Sequence, residues 1–450
     1  MRMRIYDFVD EGLGHSSYLI DIGDGTTAMV DPPRFPTAQE TLVARLKSQV
    51  AWTFDTHSHA DYVTGSPGLA ARLDTTFVAP TASRLGTPHR PIVDGESIEL
   101  GDGLSMVALA TPGHTPDHHA YLLQQSGEPA ALFSGGSLMV GAVGRTDLCG
   151  PELAEPLARD MFHSLRRFDD LPDDLTVYPT HGAGSFCAAP GASERTTTLG
   201  YERSANPLFA ITNEDQFVEQ LLAGFGTFPS YFARLPELNR LGPNHYITLP
   251  HLTRLDPDQV ERHLNAGGVV VDARPAAAFA VGHLVGSMSI TLRPVFASWL
   301  GWLIKPNQPI VFVLDEDQDR AELVRQCLDV GHEQFVGELA FGIESWTASG
   351  RPVNRIEIVD PAGIVGQIVD VRQANEYEAG HVPGALNVEL GSIPLAKLPV
   401  GELTIMCGHG ERAMTGASIL ARLGRDDLVV LDGGPDTWST ATQIPLESGR

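Results

Sequence analysis

Positive charge is scarce in this sequence: 31 Lys and Arg stand against 56 Asp and Glu, a formal net charge of −25. Such a surface repels phosphate backbones and anionic lipid headgroups, which argues against nucleic-acid and membrane partners. Long apolar runs are missing too, since none reaches the ~18 residues that a membrane-spanning helix needs. No secretory signal is readable, because Arg2 and Arg4 lead into Asp7, Asp10 and Glu11 instead of an apolar stretch. A cytoplasmic protein is expected. Cysteine is rare: Cys149, Cys187, Cys327 and Cys407 lie far apart with no C-x-x-C pair, which excludes a disulfide scaffold and fits a reducing compartment. Apolar residues are plentiful, at 42% of 450 positions, enough for several separate cores and too many for a disordered chain.

Residues 1–190 alternate β-rich runs at 17–22, 27–31 and 106–110 with helical stretches at 38–46 and 152–168, the pattern of an α/β domain. Over 191–252 the strand signal fades; a helix-like stretch at 216–222 precedes a Pro- and Gly-marked connection at 225–250, read as a helical extension and linker. The remainder is an internal repeat. Asp272, Arg274, Gly282, His283 and Gly286 recur as Asp370, Arg372, Gly380, His381 and Gly384, each 98 residues later. Trp346 recurs as Trp438, 92 residues later, and at that offset Asp315-Glu-Asp-Gln-Asp-Arg320 faces Cys407-Gly-His-Gly-Glu-Arg412. The copy at 253–352 therefore has an aspartate where the copy at 353–450 has a cysteine.

The run Thr404-Ile-Met-Cys407 reads as a buried strand ending at the thiol, and a helix is expected from Ala413 onward. A cysteine at such a turn faces backbone N–H groups and a helix N-terminus, both of which favour the thiolate. Gly408 and Gly410 let the loop wrap closely around sulfur and Arg412 adds a fixed positive charge, which Glu411 opposes. A C-x4-R loop of this kind also serves phosphatases. The wider pattern resembles a rhodanese domain: Asp370-Val-Arg372, Glu376-Tyr377, Gly380-His381-Val-Pro-Gly384, the Cys407 loop, and Leu431-Asp-Gly-Gly434 with Trp438. The resemblance implies that Cys407 is a nucleophile carrying sulfane sulfur, as a persulfide, from a donor to a thiophilic acceptor, and that Gly408, His409, Gly410 and Glu411 form the persulfide cradle. The first copy resembles the same domain without its nucleophile, and a packing or docking role is expected of it. The Asp and Arg of each Asp-x-Arg element are read as structural, because both copies keep them.

Among 16 histidines three groups stand out: His57-Ser-His59-Ala-Asp61 after a strand-like run, Pro112-Gly-His114, and Tyr178-Pro-Thr-His181. Imidazoles in separated segments are what a metal site needs, because its ligands converge from different elements. These segments resemble the metallo-β-lactamase fold, an αββα sandwich. Gly144-Arg-Thr-Asp147, His181-Gly-Ala-Gly-Ser-Phe-Cys187 and Thr198-Leu-Gly-Tyr-Glu-Arg203 more narrowly resemble the persulfide dioxygenases, whose members fused to tandem rhodanese domains share this domain order. That resemblance implies one non-haem iron oxidising a glutathione-type persulfide to sulfite with O₂, and Arg145 is a candidate for substrate binding. The chain departs from the pattern at Tyr62, where the family has a histidine, and at Gly136, where it has the ligand aspartate. His57, His59 and His114 are left as a three-histidine set for one iron or zinc ion, with Asp61 and His181 as candidates for a second site.

The expected architecture is thus α/β: an αββα metallo-β-lactamase sandwich followed by two α/β rhodanese-like domains with parallel sheets. The expected function is that of a sulfur-metabolism enzyme, a Cys407 sulfurtransferase fused to a persulfide-dioxygenase-like domain with an incomplete metal site. A zinc metallohydrolase of thioester-like substrates and a non-catalytic persulfide-docking module are the alternatives. Thiosulfate or a glutathione-type persulfide is the expected donor and a thiol the acceptor, while a homodimer follows from fold-level analogy.

Overall fold

The computed structural model describes residues 3–187 and 194–449. It divides into two compact units, Met1–Thr248 with Cys327–Gly331, and Leu249–Gln326 with His332–Arg450. The expected boundary at 190 lies outside the described residues. Among those described, no helix is long and apolar enough to cross a membrane.

The first unit is built on two six-stranded sheets. One runs Arg4–Asp10, His15–Asp21, Thr26–Val30, Gln49–Phe54, Thr76–Pro80, Arg90–Ile92, antiparallel at first and parallel from Thr26–Val30 onward. The other runs Ser97–Gly101, Leu104–Ala110, His119–Gln125, Glu128–Gly135, Thr176–Pro179, Thr197–Thr198, with one parallel pairing, between Glu128–Gly135 and Thr176–Pro179. Their facing sides share a core in which Tyr18, Phe54, Val78, Met106, Tyr121 and Phe133 are buried. Side chains alternate along a strand, so the outer faces are apolar as well and need covering. Helices Thr37–Leu46 and Ser66–Arg72 cover one through Val43 and Leu69, packed on Leu19, Met29 and Val50. Helix Pro151–Arg166 covers the other with Ala158, Met161, Phe162 and Leu165, whose spacing puts them on one helical face against Leu122, Leu132 and Val177. The layering is αββα.

Of the stretch 191–252 expected as an extension and linker, the described residues up to 248 belong to the first unit. Leu199, Phe209, Phe217 and Leu221 are buried in that same outer core, so helices Leu199–Ala205 and Glu214–Ala223 are part of the unit, not an extension from it. A further helix, Leu235–Leu241, stands where a plain connection was expected. The apolar stripe of Phe217, Val218 and Leu221 is stable only when laid on another apolar face, and helix Pro151–Arg166 supplies one, with Phe162 and Phe217 ring centroids 5.5 Å apart.

The second unit holds the two repeat copies. Each has a five-stranded parallel sheet with the same strand order: Arg254–Leu255, Phe335–Leu339, Ile310–Val313, Val269–Asp272, Met288–Ser289 in one, and Glu357–Val359, Leu428–Leu431, Leu403–Met406, Gln367–Asp370, Leu386–Asn387 in the other. Central parallel strands are covered on both faces and read as unbroken buried runs, as Ile310–Val313 and Leu403–Met406 do. Arg274 grips Asp272 through Nε and Nη2 and donates to the Gly282 carbonyl at 2.9 Å; Arg372 does the same with Asp370 and the Gly380 carbonyl at 2.7 Å. This pair pins the chain where it leaves the strand, in both copies alike. The copies meet at helix Glu411–Arg422, where Ser289 N–H donates to Ser418 Oγ at 3.0 Å and Arg422 donates to the Gly286 carbonyl at 2.8 Å.

Candidate functional sites

Cys407 follows the buried strand Leu403–Met406 and is itself 1% exposed. Gly410 takes φ +98°, which side chains rarely adopt, and directs its N–H onto Cys407 Sγ at 3.1 Å. Helix Glu411–Arg422 begins immediately afterwards, two residues earlier than expected. Its first turn therefore starts beside the sulfur, where the helix end favours negative charge. Gly408 is half-buried, His409 is exposed and Glu411 is half-buried. A Cβ on Gly434 would stand 2.8 Å from the Cys407 carbonyl oxygen, so this second glycine-dependent turn closes the loop from below.

Arg412 differs from expectation. It is not a free charge beside the thiol but holds Glu376 with hydrogen bonds of 2.6 and 2.8 Å. Burial pushes the Glu376 carboxyl up, yet the hydrogen bonds and charge of Arg412 outweigh it and hold it below the usual carboxylate range. The guanidinium still flanks the loop, since a Cβ on Gly408 would lie 3.7 Å from its Nη2. In the first copy the corresponding Arg320 turns into the loop and donates to the carbonyls of Asp315, Glu316 and Gln318 at 2.6, 3.0 and 2.6 Å. Its Nε meets Glu338 at 3.0 Å, and the Asp315 N–H is taken by Gln318 Oε1 at 2.9 Å. A cavity of about 240 Å³, lined among others by Arg254, Asp315, Glu338 and Phe341, adjoins that loop.

In the first unit the sheet ends deliver His57, His59, Asp61, His114 and His181 to one place, each no more than 2% exposed. Ring centroids of His57 and His114 are 4.9 Å apart, those of His57 and His181 5.4 Å, and those of His114 and His181 5.1 Å. One ligand atom from each of these three lies within 4.8 Å of the others, and His59 groups instead with Asp61 and His181 or with Asp31 and Asp55. The expected division into His57, His59 and His114 on one side, Asp61 and His181 on the other, is thus not how the atoms fall. His59 Nε2 meets Asp31 Oδ1 and the Tyr62 hydroxyl, both at 3.1 Å. Burial alone would lower the His59 pKa, but the Asp31 carboxylate overcomes it and lifts it to about 8. His114, with no such carboxylate, is pushed down to about 3, chiefly by burial and then by His181, and is held neutral as a metal ligand must be.

The residues fit a cation. Within this cluster His114 Nε2 and His59 Nδ1 are buried acceptors or donors with no hydrogen-bond partner, and such groups cost about 1–3 kcal/mol each unless something satisfies them. Tyr62 gives the second position an aromatic fill: its ring stacks on His15 at 4.1 Å and on His59 at 4.4 Å, and its hydroxyl donates to the Asp31 carbonyl at 3.1 Å. Gly136 is required to be small, because a Cβ there would stand 2.4 Å from His114 Cδ2. Arg145, a candidate for substrate binding, is 3% exposed and spends its donors on Asp147 at 2.7 and 2.8 Å and on the carbonyls of Gly226 and Phe186 at 2.7 and 3.2 Å. In this structure it ties loops together. Sequence reasoning assigned no site role to Asp31, Thr56 and His118, all buried around the histidines, and placed Glu376 in the repeat's pattern without its pairing to Arg412; the Asp31-Pro-Pro turn after a strand was the one local hint.

The family model of the rhodanese-like domain matches residues 256–349 and 356–441. Among curated proteins, the mitochondrial persulfide dioxygenase ETHE1 of Homo sapiens is 27% identical over 204 residues, 44% of this chain and 73% of that protein. A hydroxyacylglutathione hydrolase of Aliivibrio fischeri is 35% identical over 127 residues, 28% of this chain and 45% of that protein. Among solved structures, a metallo-β-lactamase from Staphylococcus aureus matches with a TM-score of 0.66 at 27% identity, over 76% of this chain and 99% of that one.

Proposed function

Since this chain joins a metallo-β-lactamase-fold, persulfide-dioxygenase-like region to two rhodanese-like domains, we propose that it is a sulfur-metabolism enzyme whose sulfurtransferase nucleophile is Cys407. The observation that carries this is the Gly410 N–H aimed at Cys407 Sγ at 3.1 Å, directly before a helix. The Cys407 thiolate attacks the sulfane sulfur of the donor, a new S–S bond forms, and the donor's own bond to that sulfur breaks. The leaving group keeps the electron pair, as sulfite when the donor is thiosulfate. An acceptor thiolate then attacks the terminal sulfur of the protonated persulfide, and the Cys407 thiolate departs with its electron pair and is regenerated. Sulfur oxidation states are exchanged within the pair of reactants, so no external oxidant is needed. Glu376 holds Arg412 beside Gly408, where its charge meets an anionic donor.

In the first unit, His57 and His114 with their neighbours would hold a metal ion, whose contribution when bound is to polarise a small sulfur-containing substrate. The chain's own part is to bury that site and to fix the imidazoles. A glycine at 136 leaves no side-chain carboxylate there and favours, as a second reading of this unit, hydrolysis of a thioester-like substrate over O₂ chemistry. Thiosulfate or a glutathione-type persulfide as donor and a cytoplasmic setting complete the proposal. The test is sulfur transfer from thiosulfate to cyanide by the full chain: Cys407→Ser is expected to fall to the uncatalysed rate while Cys327→Ser keeps the wild-type rate. Retained transfer in Cys407→Ser overturns the assignment.

A further inference from the structure

The protons of the histidine cluster follow from their partners. Thr56 Oγ1 donates its one proton to Asp31 Oδ2 at 2.8 Å, so its 2.8 Å contact with His57 Nδ1 requires the N–H to be on His57. His114 Nδ1 lies 2.8 Å from the Arg145 carbonyl, which only accepts, so His114 also carries its proton on Nδ1. His181 Nδ1 lies 3.2 Å from Asp61 Oδ2 without the alignment of a hydrogen bond, and only a proton on Nδ1 lets that nitrogen face a carboxylate without repulsion. With a proton on each Nδ1, Nε2 is the atom that each of the three rings has left to bind a cation. His114 Nε2 has no hydrogen-bond partner, and Nε2 of His57 and His181 lie 3.4 Å apart, close enough to need a proton or a cation between them. Converging buried lone pairs repel one another, and a cation among them converts that repulsion into coordination.

The neighbouring histidines stand outside this set. His118 accepts the Gly136 N–H on Nε2 at 2.9 Å and meets Thr111 Oγ1 through Nδ1 at 2.8 Å. His59 gives Nε2 to Asp31 and Tyr62, and although its Nδ1 has no hydrogen-bond partner it groups with Asp61 and His181 and not with His57 and His114. At Gly136 the His114 ring already occupies the space a side chain would need, with Cδ2 only 2.4 Å from an added Cβ.

We infer that the metal centre of the first unit is an all-histidine one, in which Nε2 of His57, His114 and His181 bind the ion, His181 replaces the lost carboxylate, and Asp61 orients His181 without binding metal. The inference rests on the reading that this unit holds a metal ion and is independent of Cys407. Three neutral imidazoles leave the ion its full charge and an open position, a donor set that suits zinc rather than the two-histidine, one-carboxylate face of an O₂-activating iron.

The full chain, stripped of metal, is titrated with Zn²⁺ and with Co²⁺, reading bound metal by elemental analysis and the visible absorption of four-coordinate cobalt. Wild type is expected to bind one equivalent. His181→Gly should lose the cobalt spectrum as His57→Gly and His114→Gly do, and free imidazole should restore it, which shows that the variant is folded. Asp61→Asn should keep the stoichiometry but weaken binding about 10–100-fold, the usual effect of removing a partner behind a ligand. His59→Ala should bind as wild type does. Wild-type cobalt absorption in His181→Gly, or its loss in His59→Ala with His181→Gly intact, overturns the ligand assignment alone. No metal bound by wild type overturns the underlying metal reading as well.

Discussion

In the second rhodanese-like copy Arg412 reaches across to Glu376 and the Gly410 N–H points at Cys407; in the first, Arg320 reaches into the loop and takes three of its carbonyl oxygens. The arginines correspond, and so do the strands before them. What differs is the acid available to each. Ala278 stands 98 residues before Glu376, so the first copy has no carboxylate at that place, while Glu338 stands 92 residues before Val430 and captures Arg320 from another strand. With its arginine drawn inward, the first loop presents carbonyls where the second presents an N–H. A loop that turns an N–H to its thiol has become one that holds a cation, its own. Replacement of the cysteine by Asp315 is therefore one part of a wider change, and the two copies show that a parallel-sheet scaffold persists when the chemistry of its loop is reversed.

The largest expected effect tests whether the cysteine alone separates the copies. Asp315→Cys introduced into the Cys407→Ser chain should leave thiosulfate:cyanide transfer at the uncatalysed rate, because the first loop faces its carbonyls inward. Measurable transfer would show that the loop reversal is unimportant. Next in size is the pair both copies share. Arg274→Ala and Arg372→Ala each leave a buried aspartate unpaired and should each cost about 3–5 kcal/mol in urea unfolding, whichever copy is cut. A loss confined to the copy with Cys407 would make the pair catalytic instead of structural. Burial already holds Asp272 above its usual range in spite of Arg274, so the pair specifies a turn more than it adds stability.

Glu376→Gln should lower the transfer rate about tenfold, equivalent to roughly 1.4 kcal/mol of transition-state stabilisation, whereas Glu338→Gln should leave it unchanged. The effect on stability is smaller, under about 1 kcal/mol, because the Glu376 side chain is 37% exposed and solvent screens the pair. Its sign with pH is fixed by the direction of the shift. A carboxyl held below its usual range stabilises the fold fully above about pH 4.3 and loses that contribution as pH falls through its folded value. Wild type and Glu376→Gln should therefore differ in urea midpoint at pH 7 and converge in acid; a constant difference would deny that the ion pair is responsible. The smallest effect concerns Phe341, which sits at φ +61° where the second copy has Gly433 at φ +97°. Phe341→Gly relieves a left-handed side chain at some cost in chain entropy and should raise stability by roughly 0.5–1 kcal/mol. A drop in melting temperature would mean that Phe341, 77% exposed, is held there by contacts worth more than the strain.

Legibility followed distance along the chain. The repeat, the Asp-x-Arg pairs and the Cys407 loop were readable because their parts lie within a few residues of one another: Arg372 bonds Asp370 two positions away and Gly410 bonds Cys407 three positions away. The partner of Arg412 lies 36 residues off, and nothing local to the half-buried Glu376 says which cation it meets. The helices at 199–205 and 214–223 were visible as helices, but whether their apolar stripes faced the outer core or a linker depended on a strand pair and a helix elsewhere.

The sequence by itself determined which chemistry-bearing groups exist: one cysteine in a glycine-lined turn before a helix, histidines at strand ends, a glycine at 136 and a tyrosine at 62. Only the tertiary structure decided how they are employed. His57 meets His181 across 124 residues, Asp61 backs His181, and His59 turns away to Asp31. Side-chain protons and lone pairs are assigned by whichever partners the packed sheets bring within about 3 Å, and a linear pattern carries no record of that choice.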